Sequence, residues 1–100
     1  MFKDLDPILH SQVRLAIMSI LISVKKAEFS FLLEHIKTTK GNLSFQLGKL
    51  KNAKYIKVVK SQKGNYPLTT CEITESGIDA YENYVNSISD YFKISNRSGN

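Results

Sequence analysis

Apolar positions crowd into the first quarter of the chain. Val13, Leu15, Ala16, Ile17, Met18, Ile20, Leu21 and Ile22 follow Asp6-Pro7 and Ser11, all of them residue types that open helices. A first helix is predicted over about 11–23. Its apolar side chains point in nearly every direction, and a helix apolar all round needs cover all round. A small chain covers one side, which leaves Ile17 and Leu21 as candidates to meet a second copy. Positions 27–29 read as a short extended link, and Ser30 as the N-cap of a second helix over about 30–37. Phe31, Leu32 and Ile36 lie on or near one of its faces, while Leu33 stands where a glutamate or glutamine would complete a capping box.

Thr38-Thr39-Lys40-Gly41 has the chemistry of a turn. After it, Leu43, Leu47 and Leu50 recur at i, i+4 and i+7 and give a third helix, about 42–53, one inward stripe. From Tyr55 the period shortens. Tyr55-Ile56-Lys57-Val58-Val59-Lys60-Ser61 alternates in part, Lys63-Gly64-Asn65-Tyr66-Pro67 turns, and 68–74 alternates back, a hairpin over about 55–74. Thr74 caps a last helix over about 75–92, with Glu75 in its first turn. There Ile78, Tyr81, Val85, Ile88 and Phe92 form a stripe suited to packing along another helix, and together with Ile17 and Leu21 they are the expected dimer contacts. Residues 94–100 read as a flexible tail.

Composition adds limits. With 100 residues, 42% hydrophobic and 23% charged, the chain is a single globular domain, expected over 1–93. One cysteine, Cys71, excludes an intramolecular disulfide and fits a reducing interior. The run LAIMSILISV is far short of the roughly 20 apolar residues a membrane span needs. Acids and a proline precede that run, unlike a secretory leader, so a cytoplasmic location is expected. Charge changes the picture most. The net +5 conceals eight lysines and no acid between 37 and 66, then five acids and no base between 72 and 90. A cationic block of this kind attracts polyanions.

The element order, helix, extended link, helix, turn, helix, hairpin, helix, is mainly α with a β-hairpin (α+β) and describes a winged helix-turn-helix. Three stretches carry a family likeness: LDPILHSQVRLAIMSIL (5–21), GNLSFQLGKLKNAKYI (41–56) and LTTCEITESGIDAY (68–81). The chain resembles small winged-helix transcriptional regulators of the MarR/ArsR-like kind. The resemblance implies the order α1-β1-α2-α3-β2-wing-β3-α4, with the third helix reading DNA. It departs from many relatives at Lys54, where they carry glycine, and at Phe45, where arginine or a similar polar residue is common.

A homodimer that binds double-stranded DNA is therefore expected to contact it through Thr39, Lys40, Asn42, Ser44, Phe45, Gln46, Lys49, Lys60, Lys63, Asn65 and Tyr66. The leucine stripe turns Asn42, Ser44, Phe45, Gln46 and Lys49 outward, toward a major groove that admits one helix. Gln46 has the chemistry to pair bidentately with adenine and Ser44 to reach a base or phosphate. Phe45 either meets a thymine methyl or tucks against the second helix or the wing. The lysines suit phosphates, with Gly64-Asn65-Tyr66 at or in the minor groove. Acids on the last helix are repelled by phosphate and orient the domain. Arg14 suits either a phosphate or a structural ion pair. The rival class is a winged helix used as a protein-interaction module, which the lysine block opposes.

No catalytic constellation appears, and His10 and His35 sit far from each other and from Cys71, so no enzyme activity, cofactor or metal is expected. A small-molecule effector in a dimer crevice lined by Tyr81, Tyr84 and Tyr91 is a further partner the sequence allows.

Overall fold

Hydroxyl caps set three of the four helix starts, and together they place the third helix and the hairpin on one framework. The computed structural model describes residues 2–98, with side chains through Lys93. Asp6 closes the first turn, its Oδ1 accepting from the Ile8 N–H at 2.8 Å, and Leu9 drops fully buried into the core. Ser11 then caps α1 (Gln12–Val24), its Oγ accepting from the Arg14 N–H. Lys25, at φ +71°, ends α1 and turns the chain directly into β1 (Lys26–Glu28).

The second helix, α2 (Phe29–His35), does not use Ser30 as its cap. Glu28 holds the cap position and makes no side-chain cap bond. Glu28 is extended and in register with Thr70 of the neighbouring strand, and the helix starts directly after it, which places Ser30 inside the first turn rather than at the cap. Thr39 caps α3 (Lys40–Asn52), its Oγ1 accepting from the Asn42 N–H at 3.1 Å. At the other end the Tyr55 N–H reaches the Leu50 carbonyl and the Lys54 N–H the Lys51 carbonyl, the paired bonds of a Schellman ending. That ending puts Lys54 at φ +66°, a left-handed position that glycine occupies with less strain.

Strands β2 (Ile56–Lys63) and β3 (Tyr66–Ile73) form the hairpin, and β1 adds to the far side of β3, giving an antiparallel sheet in the order β1-β3-β2. Gly64 alone takes positive φ in the two-residue turn, the type II′ pattern that suits the twist of a hairpin. Thr74 then fastens α4 (Glu75–Ser98) to the end of α3. Its Oγ1 accepts from the Gly77 N–H at 3.0 Å while its hydroxyl donates to the Lys54 carbonyl at 2.7 Å. Helix α4 continues past the expected end at 92 to Ser98, and the first glycine after Gly77 in the sequence is Gly99. Of the expected tail, residues 99–100 lie outside the described residues.

Four elements, α3, α4, β1 and β3, surround α1. This corrects the expectation that the chain covers only one side of it. Ile17 and Leu21, offered above as dimer contacts, are fully buried with Met18 in the chain's own core, so neither faces a partner. Leu32, Leu43, Leu47, Leu50, Ile56, Cys71, Ile73 and Tyr84 complete that core with Leu9 and Ile36. The molecule measures 60 × 25 × 21 Å with a radius of gyration of 15.6 Å, well above the ~13 Å typical of a compact chain of this length.

Candidate nucleic-acid interface

The three leucines of α3 are all buried, which fixes the helix and decides what its other sides present. Phe45 stands outward, 60% exposed, with the Lys49 Nζ 5.2 Å from its ring centroid. An ammonium over an aromatic face is a weak attraction at an exposed site, and it covers one side of the ring. Of the two alternatives for Phe45, packing inside the protomer is thus the one not adopted. Ser44 and Lys40 are exposed beside it. Gly41 and Gly48 flank the same outward side, and a Cβ added to either meets nothing within 4 Å.

Asn42 and Gln46 are placed differently from the expectation. Both are half-buried and bonded within the protein. Arg14 Nη1 donates to Gln46 Oε1, Gln46 Nε2 donates to Asn42 Oδ1 at 3.1 Å, and Asn42 Nδ2 donates to Thr38 Oγ1 at 2.7 Å. Arg14 makes no ion pair among the described residues, and its guanidinium is bonded within the protein. Its Nε donates to the Ile8 carbonyl at 2.6 Å and its Nη2 to the Pro7 carbonyl at 3.4 Å. One guanidinium thereby ties the N-terminal turn and α1 to the flank of α3. Sequence reading missed this chain because its key bond joins residues 32 positions apart, which no local pattern reports.

All eight lysines from Lys37 to Lys63 are exposed. The ion pair found among the described residues is Lys93 with Asp90, so none of the eight is neutralised there by a carboxylate. Strand alternation distributes the wing lysines over two faces: Lys60 shares the side of Ile56 and Val58, while Lys57 and Lys63 lie on the other. Asn65 and Tyr66 are exposed at the tip, Tyr66 at 77%. Thr39 accepts the cap bond through Oγ1, and its hydroxyl proton remains a donor at the start of α3.

Residues 13–92 match the family of winged helix DNA-binding domains. The chain belongs to that family. This winged-helix domain is 33% identical over 81 residues to an uncharacterized protein of Methanocaldococcus jannaschii, covering 81% of this chain and 88% of that one. It is similar to a solved transcriptional regulator homologue from Pyrococcus horikoshii OT3, at 30% identity, TM-score 0.80, and 86% and 85% coverage of the two chains. A MarR-family regulator from Enterococcus faecalis V583 shares the fold at TM-score 0.76 and 13% identity, over 92% of this chain and 82% of that one. By family the chain is thus a winged helix DNA-binding domain, and it shares the fold of these regulators in the expected element order.

In the winged-helix domain, α4 divides its stripe. Ile78, Tyr81 and Ile88 pack against the core, whereas Val85 is 41% and Phe92 62% exposed. The three tyrosines offered as a crevice lining are engaged separately. Tyr81 Oη pairs with Ser19 Oγ at 3.0 Å, the buried Tyr84 Oη pairs with His10 Nδ1 at 3.0 Å, and Tyr91 stacks on Phe2 at 4.5 Å between ring centroids. His35 is exposed, its Nδ1 donating to the Phe31 carbonyl at 2.9 Å. Among the described residues no group of three or more His, Cys, Asp or Glu is placed to hold a metal, and no helix is long and apolar enough to cross a membrane.

Proposed function

We propose that this winged-helix domain is a sequence-specific transcriptional regulator that binds double-stranded DNA as a homodimer. In this reading α3 enters the major groove with Ser44, Phe45 and Lys49 toward the bases, and Thr39 and Lys40 meet phosphates at its start. The observation that carries the reading is the set of eight exposed lysines without a carboxylate partner among the described residues. Unpaired ammonium groups are what counterion release from DNA requires. The wing fits the same picture. A hairpin in a minor groove about 6 Å wide has a phosphate rail on either side, and Lys60 and Lys63 lie on its two opposite faces.

Dimerisation rests on α4. The elongated shape and the exposed Val85 and Phe92, seven residues apart on one stripe, leave apolar surface that a second α4 would cover. Two copies read two half-sites, and phosphate-repelling acids on α4 keep this side away from the duplex.

Charge reversal tests the DNA contact. Lys49→Glu with Lys63→Glu is expected to leave the circular dichroism spectrum unchanged and to abolish a gel shift. The parent's log affinity is expected to fall with log salt at a slope of about −0.9 per phosphate met. Binding by the double variant equal to the parent would refute the proposal. For the dimer, Val85→Glu with Phe92→Glu is expected to give monomers by light scattering, both side chains being exposed enough to change without disturbing the core.

A further inference from the structure

Resting on the reading above, the geometry of α3 also bears on which base edge it recognises. We infer that Phe45 reads the 5-methyl group of thymine, and that Gln46 contacts no base because Arg14 holds it as a positioning residue.

Adenine is read bidentately by an amide whose oxygen accepts from N6 and whose nitrogen donates to N7. Both ends of Gln46 are engaged: its Oε1 accepts from the Arg14 guanidinium and its Nε2 donates to Asn42 Oδ1, so the one lone pair and one N–H left over are held in the orientation those bonds set. Asn42 is held in the same network, its Nδ2 donating to Thr38 Oγ1 while its Oδ1 accepts from Gln46. Turning Gln46 into a groove would leave a guanidinium N–H and the Asn42 carbonyl without partners. Losing a bond to a charged donor is among the more expensive ways to break a network. The two amides therefore serve to fix α3, through Arg14, against the carbonyls of Pro7 and Ile8.

What remains outward on α3 is Phe45, the large apolar side chain that this helix exposes. Among the base edges of the major groove, the apolar feature is the methyl at C5 of thymine. Lys49 lies over one side of the ring, which keeps it from folding down the helix and brings an ammonium to the adjoining phosphate or guanine edge. The same methyl is presented by 5-methylcytosine. Thymine is the assignment here, and the test separates the two.

The full chain is used to select duplexes from a random pool, and the best one is remade with uracil for each thymine in turn. Removal of the contacted methyl is expected to weaken parent binding about fourfold, the worth of one methyl taken out of water. Phe45→Ala is expected to bind the thymine and uracil duplexes equally, and Gln46→Ala to bind both more weakly, through a less firmly held α3, while keeping their ratio and the base preference. A second pair compares cytosine with 5-methylcytosine at the same position. Equal parent affinity for every thymine and uracil duplex overturns the inference, as does an adenine preference that disappears in Gln46→Ala. A methyl effect confined to the cytosine pair overturns the thymine assignment. The parent comparison needs no variant to fold, and failure to select any duplex would defeat the DNA-binding reading itself rather than this assignment alone.

Discussion

Helices α3 and α4 both carry glycine, and the surroundings of those glycines differ. At Gly77 in α4 a Cβ would collide with the carbonyl oxygen of Tyr55 and press on the Ile73 side chain. At Gly41 and Gly48 in α3 a Cβ would meet nothing within 4 Å. Glycine inside a helix costs about 1 kcal/mol relative to alanine. In α4 that cost has a visible return within the protein, a close joint in which the Thr74 N–H also donates to the same Tyr55 carbonyl at 3.0 Å. In α3 the folded chain supplies no such contact. The absent side chains leave a bare strip beside Phe45, which is the surface a duplex approaching α3 would occupy. The α4 joint is organised by the fold, whereas no contact within the fold accounts for the glycines of α3.

The sharpest test of the contrast is Gly77→Ala. Because backbone rather than a flexible side chain blocks the new methyl, the domain is expected to lose about 3 kcal/mol in denaturant unfolding, at the upper end of overpacking effects. An unchanged midpoint would break the comparison. Tyr55 gives a smaller effect at the same joint. Its hydroxyl donates to Asp6 Oδ2 at 2.6 Å, and burial, then that bond and the nearby carboxylate charge, push its pKa from 10.0 up to about 12. A folded value above the unfolded one means that stability from this group is fully present below pH 10 and is lost as pH rises toward 12. Tyr55→Phe is expected to cost about 1 kcal/mol at neutral pH and to flatten part of that alkaline decline. Burial also pushes the Cys71 thiol up to about 11, but parent and variant share it, so the difference between their pH profiles isolates Tyr55.

The smallest change in stability has the opposite sign. Gly48→Ala is expected to stabilise the domain by up to about 1 kcal/mol, read by thermal melting, while weakening duplex affinity in the same gel-shift assay. Stability and binding moving in opposite directions would sharpen the contrast between the two helices. A variant that gained stability and bound DNA as well as the parent would remove the external reason assigned to the α3 glycines.

Much of this was legible before any coordinates. The leucine spacing in α3, the alternation from Tyr55, the turn at Gly64 and the Thr74 cap are local signals, because each arises from residues within a turn or two of one another. The lysine block needed only counting. Less legible were features in which two distant segments compete for one side chain. Helix α2 starts directly off the strand paired with β3, which puts Ser30 inside its first turn, and Gln46 lost its outward role to Arg14. Ile17 and Leu21 look surplus in the sequence because periodicity reports that a helix is apolar all round without reporting how many neighbours surround it.

The sequence by itself determined the order of elements, the inward side of α3 and the concentration of positive charge on the segment that follows α2. Hydrophobic period, cap chemistry and net charge are additive and short in range, so they survive without knowledge of the fold. Only the tertiary structure decided which polar side chains remain free for a ligand, which apolar ones the core consumes and why Gly77 has to be glycine. A hydrogen-bond donor or a core position can be filled once, and which segment fills it depends on how the whole chain closes on itself.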